Sequence, residues 1–228
     1  MSGDLALSDR DRDGWVLHDA LEITPDWLAP IIRAARSVRA EDLSLFLPPV
    51  SGGRRGSVLM LFGSGPDGPD VLIIERAKDM RQHAGQPAFP GGAIDATDDG
   101  VEGAALREAN EETGLDPSGV LVFGALPALW LPPSGFVVTP VLAWWQRPSA
   151  VGVLDEREVS AVHRVPWAEL LDPGNRVRVR HPSGYIGPGF TVRGMLIWGF
   201  TGGLLSQMFA AAGLELEWEP APVREVGW

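Results

Sequence analysis

The sequence predicts an α/β sandwich, with a mixed β-sheet held between helices. Short apolar runs of strand character recur at residues 57–62, 71–74, 120–131, 136–145 and 159–165. Helical patterning falls between and after them, from Thr24, from Gly100 or Val101 to Gly114, and over residues 195–212. Strands interleaved with two or three helices bury their apolar faces by stacking helices on a sheet.

Bulk properties narrow the classes. A chain of 228 residues with 45% apolar content can bury one sizeable core. Thirty acidic against nineteen basic residues give a formal charge of −11 at pH 7, which argues against nucleic-acid or membrane-surface binding driven by net charge. There is no cysteine, which excludes disulfides, thiolate metal sites and cysteine nucleophiles. The first residues lack the basic start and apolar run of a signal peptide, so a cytoplasmic address is expected. Residues 117–146 carry no formal charge and are long enough to span a membrane. Four prolines (Pro127, Pro132, Pro133, Pro140) with Gly124 and Gly135 interrupt them, so they are read as a buried strand pair, with no membrane partner.

In chain order, residues 1–14 are polar and acidic. A helix begins at Thr24-Pro25, with Trp27, Leu28, Ile31 and Ile32 as its apolar stripe and Arg33, Arg36 and Arg39 on its solvated side. Residues 45–53 are a Pro/Gly-rich connector, and residues 63–70, GSGPDGPD, a loop between two strands. Residues 75–88 form a polar loop with Arg76, Lys78, Arg81 and His83, a concentration of cations that suits a polyanionic substrate. After the strand pair come an acidic loop at 154–158, a strand at 159–165 and a helical turn at 166–171. A half-buried strand at 175–181, a loop at 181–190 and an amphipathic helix at 195–212 complete the pattern. The expected organisation is an N-terminal segment and helix (1–50), a main domain (51–214) and a tail (215–228).

The central helix carries the chemistry. Asp98 or Asp99 should cap its start, Ala104, Ala105, Leu106 and Ala109 form its packing face, and Gly114 is the left-handed residue that ends it. Glu108, Glu111 and Glu112 stand at i, i+3 and i+4, on one face. Three carboxylates so placed repel one another and destabilise the helix unless a cation sits among them, so the pattern asks for a divalent metal.

Gly92, an acidic position and then Arg107-Glu108-Ala109-Asn110-Glu111-Glu112-Thr113-Gly114-Leu115 resemble the signature of the Nudix hydrolases, which cleave nucleoside diphosphates linked to another moiety. The front of the signature departs from the pattern, which puts five residues between the glycine and a glutamate and seven more before the arginine. Asp98 keeps the first interval and leaves eight residues in the second; Asp99 keeps the second and leaves six in the first. Residues 72–92, LIIERAKDMRQHAGQPAFPGG, are similar to the segment preceding the signature in the coenzyme A pyrophosphatase branch, and Asp95 and Asp98 match its Asp-x-x-Asp loop. Ile197-Trp198-Gly199-Phe200-Thr201 looks like that branch's final helix, and the resemblance covers residues 57–212.

The resemblance implies a Nudix-like α/β/α sandwich and Mg²⁺ or Mn²⁺ bound by Glu108 and Glu112 with Glu111 close by. It gives Arg107 the role of orienting a glutamate through an ion pair. The catalytic set is then Glu111, Glu112, Arg107 and, as general base from a loop beyond the sheet, Glu158, with Glu156 behind it. The substrate contacts are Arg76, Arg81, His83, Gln86, Gly91 and Gly92. The implied partner is a coenzyme A-like nucleotide, cleaved to adenosine 3′,5′-bisphosphate and 4′-phosphopantetheine; ADP-ribose, NADH or nucleoside triphosphates are the alternatives. An inactive regulator on the same fold has no reason to keep the crowded glutamates, and an isomerase on this fold normally needs a catalytic cysteine. His163 and His181, like Trp130, Trp144, Trp145 and Trp198, are read as structural. A homodimer stays open.

Overall fold

A computed structural model describes residues 13–49, 52–78, 84–132, 134–181, 183–218 and 223–226. The chain enters along a two-residue strand, β1 (Trp15–Val16), and three short helices: α1 (Ala20–Ile23), α2 (Ala29–Ala35) and α3 (Ala40–Leu43). The expected single N-terminal helix is therefore divided. Pro25 is extended, a 3₁₀ turn (Asp26–Leu28) precedes α2, and Arg39 is the extended residue before α3. Leu28, Ile31 and Ile32 are fully buried. Arg36 is not simply solvated, because its Nη2 donates to the carbonyls of Leu17 and His18 at 3.0 and 2.8 Å.

The main sheet is built on β2 (Arg54–Gly65) and β3 (Gly68–Arg76), joined by a turn at Pro66 and Asp67. The loop expected over residues 63–70 is mostly strand, since Gly65 pairs with Gly68 and Gly63 with Asp70. Those glycines leave room for a side chain. A Cβ at Gly63 or Gly65 would lie 2.6 Å from the Asp70 carboxylate, which is buried and paired with Arg164 at 2.7 Å. Two short strands follow, β4 (Pro87–Ala88) on β3 and β5 (Gly91–Ala93) on β2, then α4 (Gly100–Thr113).

The uncharged region forms β6 (Val120–Ala125), β7 (Leu129–Leu131) and β8 (Phe136–Trp145), with β6 and β7 both antiparallel to β8. β8 lies parallel to β2, which makes the sheet mixed. Strand β9 (Val159–Pro166) pairs with β3, and helix α5 (Trp167–Leu171) follows it. A second sheet comprises β10 (Arg176–Arg180), β11 (Ile186–Val192), β12 (Met195–Ile197) and, after α6 (Gly199–Ala211), β13 (Val223–Glu225).

Strand β11 replaces the loop expected at 181–190. Its glycines are points of close approach, not breaks: a Cβ at Gly189 would stand 2.9 Å from Ile197 O. The helix expected over 195–212 is strand up to Ile197, and Trp198 is extended before Gly199 opens α6 at φ 63°. An apolar run without breaks satisfies both periods, so sequence pattern does not separate them.

Residue alternation on β2 explains the layers. Leu59 and Leu61 face one side, where Val101, Ala105 and Ala109 of α4 pack with Val141 and Trp145. Met60 and Phe62 face the other, onto α2, α5, α6 and the second sheet. Each fully buried side chain of this size contributes roughly 1.5–3 kcal/mol by leaving water.

Candidate active site

Helix α4 can come close to the sheet because Ala104, Ala105 and Ala109 are small, and all three are fully buried. It stops at Gly114, whose φ of 72° is left-handed. Its last turns thereby lie against β5, whose two glycines admit the carboxylates. A Cβ on Gly92 would be 2.6 Å from Glu108 Cδ. Gly91 has φ 155°, and a Cβ there would strike Ser57 O and stand 2.7 Å from Val58 Cα. Its N–H donates to Glu112 Oε2 at 3.0 Å.

Arg107 organises the helix surface. Its Nε and Nη2 grip Asp98 at 2.8 and 3.0 Å, and Nη2 also donates to Ala93 O at 3.1 Å. Its Nη1 reaches Glu108 Oε1 and Glu111 Oε2, each at 3.0 Å. Asp98 Oδ2 accepts in addition from the Asp95 N–H at 2.8 Å. The Arg107 hydrogen bonds hold the Asp98 carboxyl below its usual range and hold Arg107 protonated. The two acids left ambiguous by the sequence thus part company: Asp98 is the partner of Arg107, and Asp99 precedes the helix with no side-chain cap bond.

Electrostatics single out Glu112 and Glu108. Burial pushes Glu112, 3% exposed, up to about 8; the charges of Glu108 and Glu158 add to this, while the Gly91 N–H and Arg76 oppose it. Burial also raises Glu108, with Arg107 opposing and Glu111 and Glu158 adding. Glu111 is more exposed and turned to Arg107. The three glutamates consequently do not meet at one point, and among the described residues no three His, Asp or Glu side chains gather into a metal cage. The donor chemistry of Glu108 and Glu112 nevertheless fits a hard divalent cation: Glu112 is a buried carboxylate with no ion pair among the described residues, and Glu108 is a partly buried one whose second oxygen is not taken by Arg107.

The cationic side is partly described. Arg76 ends β3, and its buried Nε has no hydrogen-bond partner among the described residues. Its backbone N–H donates to Gln86 O at 3.1 Å. Arg81 and His83 lie outside the described residues. Glu158 is exposed, and its carbonyl accepts from the Ala77 N–H at 2.8 Å; its charge contributes weakly to raising Glu108 and Glu112, and Glu156 is exposed in the same loop. His163 Nε2 lies 2.7 Å from Glu75 Oε1. Of the four tryptophans, Trp145 is buried and the other three are half-buried. Sequence reading missed the hydroxyl of Ser57, buried without a partner among the described residues and opposite Gly92 in the sheet.

Acid side chains set against glycine backbone and ordered by one arginine are a donor set suited to holding a cation against a phosphoric anhydride. The NUDIX domain model matches residues 53–183, and the chain belongs to the Nudix hydrolase family. It is similar to "Uncharacterized Nudix hydrolase NudL" of Escherichia coli O7:K1, 37% identical over 169 residues that cover 71% of this chain and 84% of that one. The protein of the same name in Salmonella paratyphi B is 38% identical over 64% of this chain and 77% of its own. Among solved structures, the Nudix hydrolase RenU from M. smegmatis is similar, with a TM-score of 0.47 and 19% identity over 71% of this chain and 88% of that one. Nudix hydrolases generally use divalent metal ions such as Mg²⁺ or Mn²⁺ and bind nucleotide-like small molecules. Among the described residues, no helix is long and apolar enough to cross a membrane.

Proposed function

We propose that this enzyme cleaves the diphosphate of coenzyme A or an acyl-coenzyme A, giving adenosine 3′,5′-bisphosphate and 4′-phosphopantetheine or its acyl form. The observation that carries the reading is Arg76: a guanidinium whose buried Nε has no partner among the described residues, on the strand beside the site, with a charge that acts on the buried Glu112. A polyanion between the two would pair with the Arg76 guanidinium and would reach Glu112 through a divalent cation. The Arg-x-His-x-Gly-Gln run from Arg81 to Gln86, leading into Phe89-Pro90-Gly91-Gly92, supports coenzyme A over other diphosphates by its resemblance to that branch.

The chain's own groups divide the work. Arg76, with Arg81, His83 and Gln86, binds pyrophosphate oxygens or the 3′-phosphate, arginine being suited to two-point contact with phosphate. Gly91 fixes Glu112 through its N–H, and Arg107 orders Glu108 and Glu111. Glu108 and Glu112, with Glu111 beside them, would hold a divalent cation, which when bound would neutralise pyrophosphate charge and lower the pKa of the attacking water. Glu158 accepts the water's proton as the new P–O bond forms and the bridging P–O bond breaks, the charge departing on the leaving phosphate.

The test is a panel of coenzyme A, acyl-coenzyme A, ADP-ribose, NADH and deoxynucleoside triphosphates with Mg²⁺ or Mn²⁺, products separated by chromatography. Coenzyme A or its acyl form is expected to give the highest kcat/KM. Preference for another member reassigns the substrate, and no turnover of any by folded protein means a binding protein on this fold. A homodimer is read from light scattering of the same sample.

A further inference from the structure

Strand β9 does not run evenly along β3. Glu75 pairs with Ala161 but Arg76 pairs with Val159, so Ser160 is an extra residue bulged out of the ladder. Both ends of the bulge are fastened. On one side Glu75 Oε1 and His163 Nε2 are joined at 2.7 Å; on the other the Ala77 N–H donates to Glu158 O at 2.8 Å. In an uninterrupted ladder Lys78, not Ala77, would stand opposite Glu158. The extra residue therefore draws Glu158 back along β3 by one position, roughly 3.3 Å, toward Arg76.

The Ser160 hydroxyl sits at the centre of this irregularity. Its Oγ is 3.2 Å from Glu75 O and 3.3 Å from Arg76 O, so one hydrogen is shared between successive carbonyls at the point where the ladder shifts. Ser160 is itself exposed and packs no core. Strand alternation sends the Glu75 side chain toward His163 on one face and that of Arg76 to the other face, the one α4 covers. We propose that Ser160 is a positioning residue for the hydrolysis: by clamping the bulge it fixes where Glu158 stands along β3, one position nearer to Arg76. The inference rests on the roles given above to Arg76 as phosphate contact and Glu158 as base.

A double-mutant cycle separates the two. Using the panel substrate with the highest kcat/KM, Ser160→Ala and Ser160→Gly should each lower kcat/KM by about 10- to 100-fold, with the melting temperature unchanged. Ser160→Thr, which restores the hydroxyl, should stay within about 3-fold of wild type. In a Glu158→Gln background, Ser160→Ala should add little further loss. If Glu158→Gln alone leaves rate and pH–rate profile unchanged, the base assignment falls and this inference with it. If Glu158→Gln is damaging but Ser160→Ala is harmless, or multiplies the loss independently, the positioning role alone is overturned.

Discussion

The N–H of Gly91 holds Glu112 Oε2 at 3.0 Å, and that one contact ties the sheet to the last turn of α4. It joins a residue that must be glycine to a carboxylate that burial alone would keep protonated.

The glycine pair should therefore respond asymmetrically to alanine. Gly91→Ala places a methyl against Ser57 O and Val58 Cα at a φ that L-residues rarely adopt, and should cost about 2–4 kcal/mol in urea unfolding. Gly92→Ala meets only the far end of the Glu108 side chain, which can move. It should cost roughly 1 kcal/mol or less in stability yet weaken Mn²⁺ binding by about tenfold or more in titration calorimetry. Equal stability losses in the two variants would contradict this geometry.

Stability should also depend on pH with a definite sign. The folded-state pKa of Glu112, about 8, lies above its ordinary 4.5, so the fold binds a proton there that the unfolded chain releases earlier. Its contribution is complete below the ordinary value and is lost as pH rises through the folded one, at up to about 1.4 kcal/mol per pH unit. In EDTA the melting temperature should thus fall between about pH 6 and about pH 8, and Glu112→Gln should remove much of that fall. Added Mn²⁺ should raise the wild-type melting temperature more at the higher pH, because it binds the ionised carboxylate. Parallel profiles for the two proteins would mean that Glu112 is not the titrating group.

The two neighbouring aspartates are predicted to differ. Asp98→Asn breaks the two-point grip on Arg107, which also orders Glu108 and Glu111, and should reduce kcat/KM by about 10- to 100-fold. Asp99 makes no side-chain cap bond, and Asp99→Asn should change kcat/KM by less than about 3-fold. Steady-state kinetics on both variants decides; a reversed order would reassign the partner of Arg107.

What the sequence carried, and what it hid, follows from how local each signal is. The central helix was legible because its terminal glycine, alanine face and glutamate spacing all lie within one segment, although neither aspartate side chain caps its start. Strands with apolar runs were legible for the same reason. The choice between Asp98 and Asp99 was not, because it depends on the loop folding Asp98 Oδ2 back onto the Asp95 N–H. Gly187 and Gly189 read as turn residues although they sit inside β11, where Ile197 approaches. The tail could not be placed because its anchor is remote: Glu215 pairs at 2.6 Å with Arg176, whose guanidinium lies between Phe190 and Trp218. Likewise the bulge at Ser160 exists only in the pairing of two strands far apart in sequence.

The most direct test of the central claim is the rate of coenzyme A cleavage by Glu112→Gln in saturating Mn²⁺, with circular dichroism confirming the fold. Removing this buried carboxylate should lower kcat by at least about 100-fold, leaving adenosine 3′,5′-bisphosphate formation close to background. A folded Glu112→Gln protein that releases this product at nearly the wild-type rate would contradict the account.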